Sequence, residues 1–181
     1  MRLTGRKARA YIRFQFVAAK RGLLRERNSG SGFKLLLVCS SGGHFSELRA
    51  LDALWREYDR TWVTFRAPDT ESGLSGERAI WAFHPTNRNL PNFARNFVLA
   101  LKVLRAERPG LVVSGGAGVS VPFIYAARLL RIPSVYIESL TRVHDLSLSG
   151  KLVYPFVRHF LVQWPGLAAR HKKAEYRGNL L

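Results

Sequence analysis

The chain has 181 residues, a net charge of +17, 47% apolar and 12% aromatic residues, and one cysteine. That is one domain of ordinary size, or one domain with a tail, and enough apolar material for a core to exclude wholesale disorder. No apolar run nears the ~20 residues of a membrane-spanning helix, Cys39 alone excludes a disulfide scaffold or a cysteine zinc site, and the charge favours partners bearing negative groups.

Residues 1–32 hold nine basic side chains against the single acid Glu26, so they carry +8 of the total. The expected organisation is a basic arm over 1–32, ending in the linker-like Asn28-Ser29-Gly30-Ser31-Gly32, followed by a globular domain over 33–181. If the arm is helical, Arg2, Arg6, Arg9, Arg13, Lys20 and Arg27 share one stripe. Ile12, Phe16 and Leu23 lie to one side of it, and Ala10, Phe14 and Val17 to the other. Two readings stand. The arm is a helix lying on an anionic membrane, with Arg6, Arg13 and Lys20 toward headgroups and Phe14 and Phe16 dipping below. Alternatively, it is a solvated basic tail. Charges interrupt the apolar stretch and no small-residue cleavage site follows, which argues against a secretory signal.

From Phe33 short apolar runs alternate with longer amphipathic ones. Lys34–Cys39 reads as a buried strand ending in a Ser-Ser-Gly-Gly turn. Phe45–Tyr58 carries Leu48, Leu51, Leu54 and Trp55 at helical spacing. Thr61–Phe65 and Ala79–Phe83 read as strands, with polar Pro68–Arg78 a loop between them. Asn92–Arg108 reads as a helix that stops before Pro109. Then follow a strand at Gly110–Ser114, a helix at Val119–Leu130, a strand at Ser134–Ile137, a helix at Leu148–Arg158 and a strand at Phe160–Gln163. Alternation of this kind predicts an α/β fold: a Rossmann-like parallel sheet with helices on both faces.

Ligands bind such sheets at the C-terminal strand ends, where three turns fall: Ser40–His44, Gly115–Gly118, and Glu138-Ser139. Ser41, Gly42 and Gly43 lead into a helix N-terminus, which suits phosphate; a tight turn needing glycine for geometry alone is the alternative. Gly115, Gly116 and Gly118 offer a second backbone nest for an anion, with the same alternative. His44 is placed to accept a proton or to donate to phosphate, and a structural histidine is equally open. Glu138, a carboxylate at the binding edge, could accept from a sugar or orient Arg142 and Lys151. Glu47 lies one turn into the first helix, where the helix dipole alone could explain it. There is no G-x-G-x-x-G, and the second strand runs into Thr64-Phe65-Arg66 with no acid for a ribose, which argues against a nicotinamide enzyme. Neither a Walker A pattern nor G-x-S-x-G occurs, and the histidines lack metal-ligand spacing, so no metal is expected.

The ordered set SSGGHFSEL, SGGAGVSVPF, YIESLTRVHDLSLSGKLVYP, FLVQWPGL and AEYRGNLL spans residues 34–181. It resembles the asparagine-linked glycosylation protein-fourteen family, especially bacterial exopolysaccharide members of the PssD and CpsF type. The resemblance implies the N-terminal half of a MurG-like GT-B glycosyltransferase. It implies an accessory subunit that binds a polyprenyl-diphosphate-linked acceptor at the membrane. Eukaryotic relatives carry an apolar N-terminal membrane helix where this chain has the Arg-rich arm, so peripheral docking on the cytoplasmic face of the inner membrane is the expectation here. No cofactor is then expected on this chain; a UDP-sugar, of N-acetylglucosamine, glucuronic acid or galactose type, belongs on a small catalytic partner subunit. In that scheme the catalytic candidates are His44 and Glu138, either of which could take the acceptor hydroxyl's proton. Ser41, the five loop glycines and Arg142 hold the acceptor's diphosphate, and Trp164, Leu180 and Leu181 meet the partner. Two rivals are a self-sufficient small enzyme acting on a phosphorylated metabolite and a basic nucleic-acid-binding protein. The arginines outside the arm are dispersed and no nucleic-acid-binding motif is present, so nucleic acid is not the expected partner.

Overall fold

In a computed structural model of the chain, which describes residues 32–56 and 58–178, seven strands form one parallel sheet. In chain order the elements are β1 (Lys34–Val38), α1 (Gly43–Arg49), α2 (Asp52–Trp55), β2 (Asp59–Thr64), α3 (Pro68–Gly73), β3 (Ala79–Trp81) and α4 (Leu90–Glu107). They continue as β4 (Leu111–Ser114), α5 (Ser120–Leu129), β5 (Ser134–Ile137), α6 (Leu148–Val153), β6 (His159–Val162), α7 (Pro165–Arg170) and β7 (Ala174–Tyr176). The strand order is β3-β2-β1-β4-β5-β6-β7, and every pairing is parallel.

The short apolar strands are buried on both faces, as a doubly covered parallel sheet requires. Leu35 and Leu37 point into a cluster with Phe45, Leu48, Trp55 and Trp62 under α1 and α2. Leu36 and Val38 point the other way, toward Ala100, Val103 and Leu104 of α4 and Phe123, Ala126 and Ala127 of α5. Each fully buried leucine or valine contributes about 1.5–3 kcal/mol. A third cluster joins Val121 and Ile124 to Val153, Val157 and Phe160, seating α6 on the same face as α5.

Four boundaries differ from the expected ones, each for a local reason. The helix expected over 45–58 is two helices, because Leu51 N–H turns back to Leu48 O and keeps Leu51 and Trp55 in the core. The loop expected over 68–78 contains α3. Pro68 occupies its first turn, Ala67 N–H donates to Thr70 Oγ1, and Thr70 Oγ1 donates to Phe65 O, a stop-and-cap arrangement hidden in a polar composition. α6 ends at Val153 ahead of Pro155, whose ring disfavours helix at the residue before it. Finally, α7 and β7 add a strand at the sheet edge that apolar periodicity does not announce, since β7 is only Ala174-Glu175-Tyr176. The arm residues Arg6, Arg13, Phe14, Phe16 and Lys20, and the terminal Leu180 and Leu181, lie outside the described residues.

Candidate functional site

β1 pairs with β4, Val38 opposite Ser114, although two strands, β2 and β3, lie between them in chain order. This is the point where the strand order reverses, and such a point leaves a crevice above the C-terminal strand ends. An open cleft of about 880 Å³ lies there. Ser40, Ser41, His44, Thr141 and Arg142 line one part of it, and Leu90, Phe93, Val121, Leu148 and Leu152 another. His84, Thr86 and Arg88, from the loop between β3 and α4, complete the wall.

His44 is half-buried at the start of α1, and its Nδ1 lies 2.9 Å from the Gly115 carbonyl oxygen. A carbonyl only accepts, so Nδ1 carries the proton and Nε2 is left as the acceptor of the neutral ring. Glu47 Oε2 stands 3.9 Å from Nδ1, a favourable neighbour for a charged imidazole. The other oxygen of Glu47 accepts from Ser139 Oγ at 2.8 Å and Leu140 N–H at 3.2 Å. Glu47 therefore ties the first turn to the loop after β5, beyond any dipole role.

The glycines do different work from the expected anion cradle. Gly42 has φ +73° and its N–H donates to Asp69 Oδ2 at 2.7 Å, so an α3 carboxylate already occupies that donor. Neither Gly42 nor Gly43 is among the residues lining the cleft. Gly115 N–H donates to Val38 O, and Gly116 N–H to Ser114 Oγ. Gly116 adopts φ +100°, and a Cβ there would stand 3.0 Å from the His44 ring; a Cβ on Gly118 would collide with Thr86 Oγ1. These glycines admit His44 and Thr86 to the cleft. Ser114 Oγ in turn donates to Ser120 Oγ at 2.5 Å, and Ser120 Oγ to Gly116 O, which locks the second turn.

Glu138 also differs from its expected catalytic place. It is 1% exposed. Oε1 accepts from Ser139 N–H at 3.1 Å, and Oε2 accepts from Ser147 N–H at 3.0 Å and Ser147 Oγ at 3.1 Å. Burial pushes its carboxyl above the ordinary glutamate value, against the bonds from Ser147 and Ser139 and the charge of Arg142. A carboxylate with both oxygens engaged and no face on the cleft is a positioning residue: it fixes the segment that carries Thr141, Arg142 and Ser147 to the cleft wall. Lys151 turns away from it to Asp145 at 2.5 Å. Arg142 is exposed on the wall, as a phosphate ligand requires. Trp164 caps α7, and its indole N–H donates to Leu140 O at 2.7 Å, holding the same segment from behind. Cys39 is buried, and burial pushes its thiol up to about 12, which leaves it inert. Among the described residues no cluster of acidic, histidine or cysteine side chains could hold a metal ion.

Sequence reasoning missed Asp69, whose partner is set by α3, and the Arg88 loop, which reaches the cleft only because the β3–α4 connection folds over Gly118. The glycine at 118 was the available signal for the second.

The family model described as "Oligosaccharide biosynthesis protein Alg14 like" matches residues 83–180. A Yarrowia lipolytica protein described as a UDP-N-acetylglucosamine transferase subunit ALG14 is 32% identical, over 86% of this chain and 84% of its own. The Homo sapiens protein of the same description is 35% identical, over 81% and 82%. This chain belongs to the Alg14 family. The fold of this Alg14-family chain matches Acinetobacter baumannii MurG with a TM-score of 0.63 at 14% identity, over 75% of this chain. It spans 43% of that MurG chain, so the likeness is to part of a larger enzyme and concerns the fold alone.

Proposed function

We propose that this chain is the acceptor-binding, membrane-docking subunit of a two-component glycosyltransferase. It works peripherally at the cytoplasmic face of the inner membrane, in polysaccharide or lipid-linked oligosaccharide synthesis. The relatives described as UDP-N-acetylglucosamine transferase subunits support a divided enzyme and favour N-acetylglucosamine as the donor sugar. The UDP-sugar sits on a separate catalytic chain, and a polyprenyl-diphosphate-linked sugar sits in the cleft described here. Arg142 and Arg88, exposed on the wall, meet the diphosphate in place of the N–H groups of Gly42, Gly115 and Gly116, which are engaged within the fold.

The observation that carries this reading is His44, held by Gly115 O through Nδ1 with Nε2 left to accept at the cleft. As an acceptor hydroxyl oxygen attacks the donor's anomeric carbon, Nε2 takes its proton, and the bond from that carbon to the diphosphate breaks with its electron pair leaving on UDP. The Gly115 carbonyl and Glu47 then stabilise the imidazolium.

The test is transfer from labelled UDP-N-acetylglucosamine, UDP-glucuronic acid and UDP-galactose into the lipid fraction of membranes holding this chain, its candidate catalytic partner, or both. Label is expected only with both chains. His44→Gln should lower transfer about 10²–10⁴-fold while the partner still co-purifies. Transfer by this chain alone would overturn the divided enzyme, and an unchanged rate in the variant would remove His44 from the proton step.

A further inference from the structure

Three exposed apolar side chains recur every four residues along α6 and the turn that follows it: Leu148 (66% exposed), Leu152 (45%) and Phe156 (41%). That spacing puts them on one stripe about 12 Å long. Tyr125 of α5 braces it, donating to Leu152 O at 3.1 Å and meeting the Phe156 ring edge-on at 4.9 Å. One end of the stripe, Leu148 and Leu152, lines the cleft. The other end, Phe156, lines a separate pocket of about 370 Å³ with Arg128, Arg131 and Arg158. None of these three exposed arginines has an acidic partner among the described residues. Next to them Lys173 donates to Tyr154 O and Pro155 O; burial, and then the charge of Arg128, hold its ammonium below the usual lysine range. Leu129, 64% exposed, adds a fourth apolar side chain between Arg128 and Arg131 in sequence.

We propose that this flank of the globular domain, α6 with its following turn and the arginines beside it, docks on an anionic lipid surface. Leu148, Leu152 and Phe156 enter the headgroup–acyl boundary, and Arg128, Arg131 and Arg158 take lipid phosphates. Charge decides for lipid: three uncompensated guanidinium groups beside protruding apolar side chains meet phosphates anywhere on a bilayer, whereas a protein partner would have to present a matching carboxylate set. The stripe also opens into the cleft, so a docked domain would present the apolar part of its cleft wall to the bilayer. The proposal rests on the membrane part of the function proposed above and is independent of the transfer step and of the arm.

The experiment is co-sedimentation of the full chain with phosphatidylcholine vesicles, with and without phosphatidylglycerol. One variant carries Arg128→Gln, Arg131→Gln and Arg158→Gln; a second carries Leu148→Ser, Leu152→Ser and Phe156→Ser. A third alters the arm at Arg6, Arg13, Lys20, Phe14 and Phe16, and all are checked for folding by thermal melting. The arginine variant is expected to lose at least about tenfold in partition to the anionic vesicles, since each arginine near such a surface matters on the order of a several-fold change. The apolar variant is expected to lose a similar factor on both vesicle types. A single Leu152→Trp reporter, which leaves the rest of the flank intact, should gain emission that brominated phosphatidylcholine quenches. Unchanged partition in both flank variants, or an unquenched reporter on bound chain, overturns the proposal. Loss in the arm variant alone overturns it too, while leaving the membrane reading standing. Failure of the unaltered chain to bind either vesicle brings both down. Retained vesicle binding with lost co-purification of the catalytic chain would give the flank to a protein partner and overturn the lipid assignment.

Discussion

Gly150 sits inside α6, where alanine would ordinarily be worth about 1 kcal/mol more to the helix. A Cβ at this position, however, would run into Glu138 Oε2, with Ser147 Oγ at 3.1 Å and Phe160 Cζ at 3.2 Å behind it. Glu138 cannot withdraw cheaply, because its oxygens are the acceptors for Ser139 and Ser147. Overpacking therefore wins over propensity. Gly150→Ala is expected to lower stability by about 1–3 kcal/mol, read by chemical denaturation; a stabilised variant would mean that the Glu138 carboxylate is not fixed as described. The same residues explain why a buried acid persists here. Its two oxygens answer three donors, Ser139 N–H, Ser147 N–H and Ser147 Oγ–H, that an apolar side chain of the same shape would leave unmet.

Among the elements, α4 carries the longest lever on the sheet, and it ends on an acid where a helix dipole favours a base. Glu107 is held there by tertiary partners: Lys34 Nζ of β1 and Thr61 Oγ1 of β2, each 3.0 Å from Oε2, with Arg78 at 4.0 Å. Burial pushes its carboxyl up, but the bonds from Lys34 and Thr61 and the nearby cationic charges outweigh that and hold it below the usual range. A depressed folded-state pKa gives stability that is present above the ordinary glutamate value and is lost as pH falls through the depressed one. Glu107→Gln should cost about 1 kcal/mol near neutrality and flatten the acid side of the stability–pH curve. Parallel curves for the variant and the unaltered chain would show that α4 is anchored by its apolar face alone. α3 supplies a second tie between elements, since Asp69 reaches back to Gly42 and sets the shape of the turn before α1.

Across the whole molecule the charge is uneven in its effect. Many domain cations are paired within the fold, among them Lys34, Arg60, Arg66, Arg78, Lys151 and Arg177. The uncompensated ones include Arg128, Arg131 and Arg158 on the α6 flank. Vesicle association of the full chain should therefore weaken several-fold as salt rises from about 50 to about 200 mM, because exposed charges are screened over a Debye length near 10 Å at 0.1 M. Sedimentation at the two salt levels checks this, and salt-independent binding would mean that apolar insertion carries the contact.

What the sequence determined by itself is whatever depends on local pattern. Short apolar runs near glycine or proline placed β1, β4, β5 and β6, the β-rich runs at 61–65 and 79–83 placed β2 and β3, and the alternation of strands with helices required a parallel sheet. The helix stop before Pro109 followed from the missing donor and restricted backbone around proline. The ordered motifs pointed to the Alg14 family, and His44 could be singled out from its place between a strand and a helix. Tertiary structure decided the roles. Only the pairing of β1 with β4 brings Gly115 O to His44 and so leaves Nε2 free, and only the depth of the β5 loop turns Glu138 from a catalytic candidate into a buried anchor. Gly116 and Gly118, which looked like part of an anion cradle, give clearance to the His44 ring and to Thr86. A donor's availability depends on which distant acceptor has already taken it, and one-dimensional spacing carries no record of that.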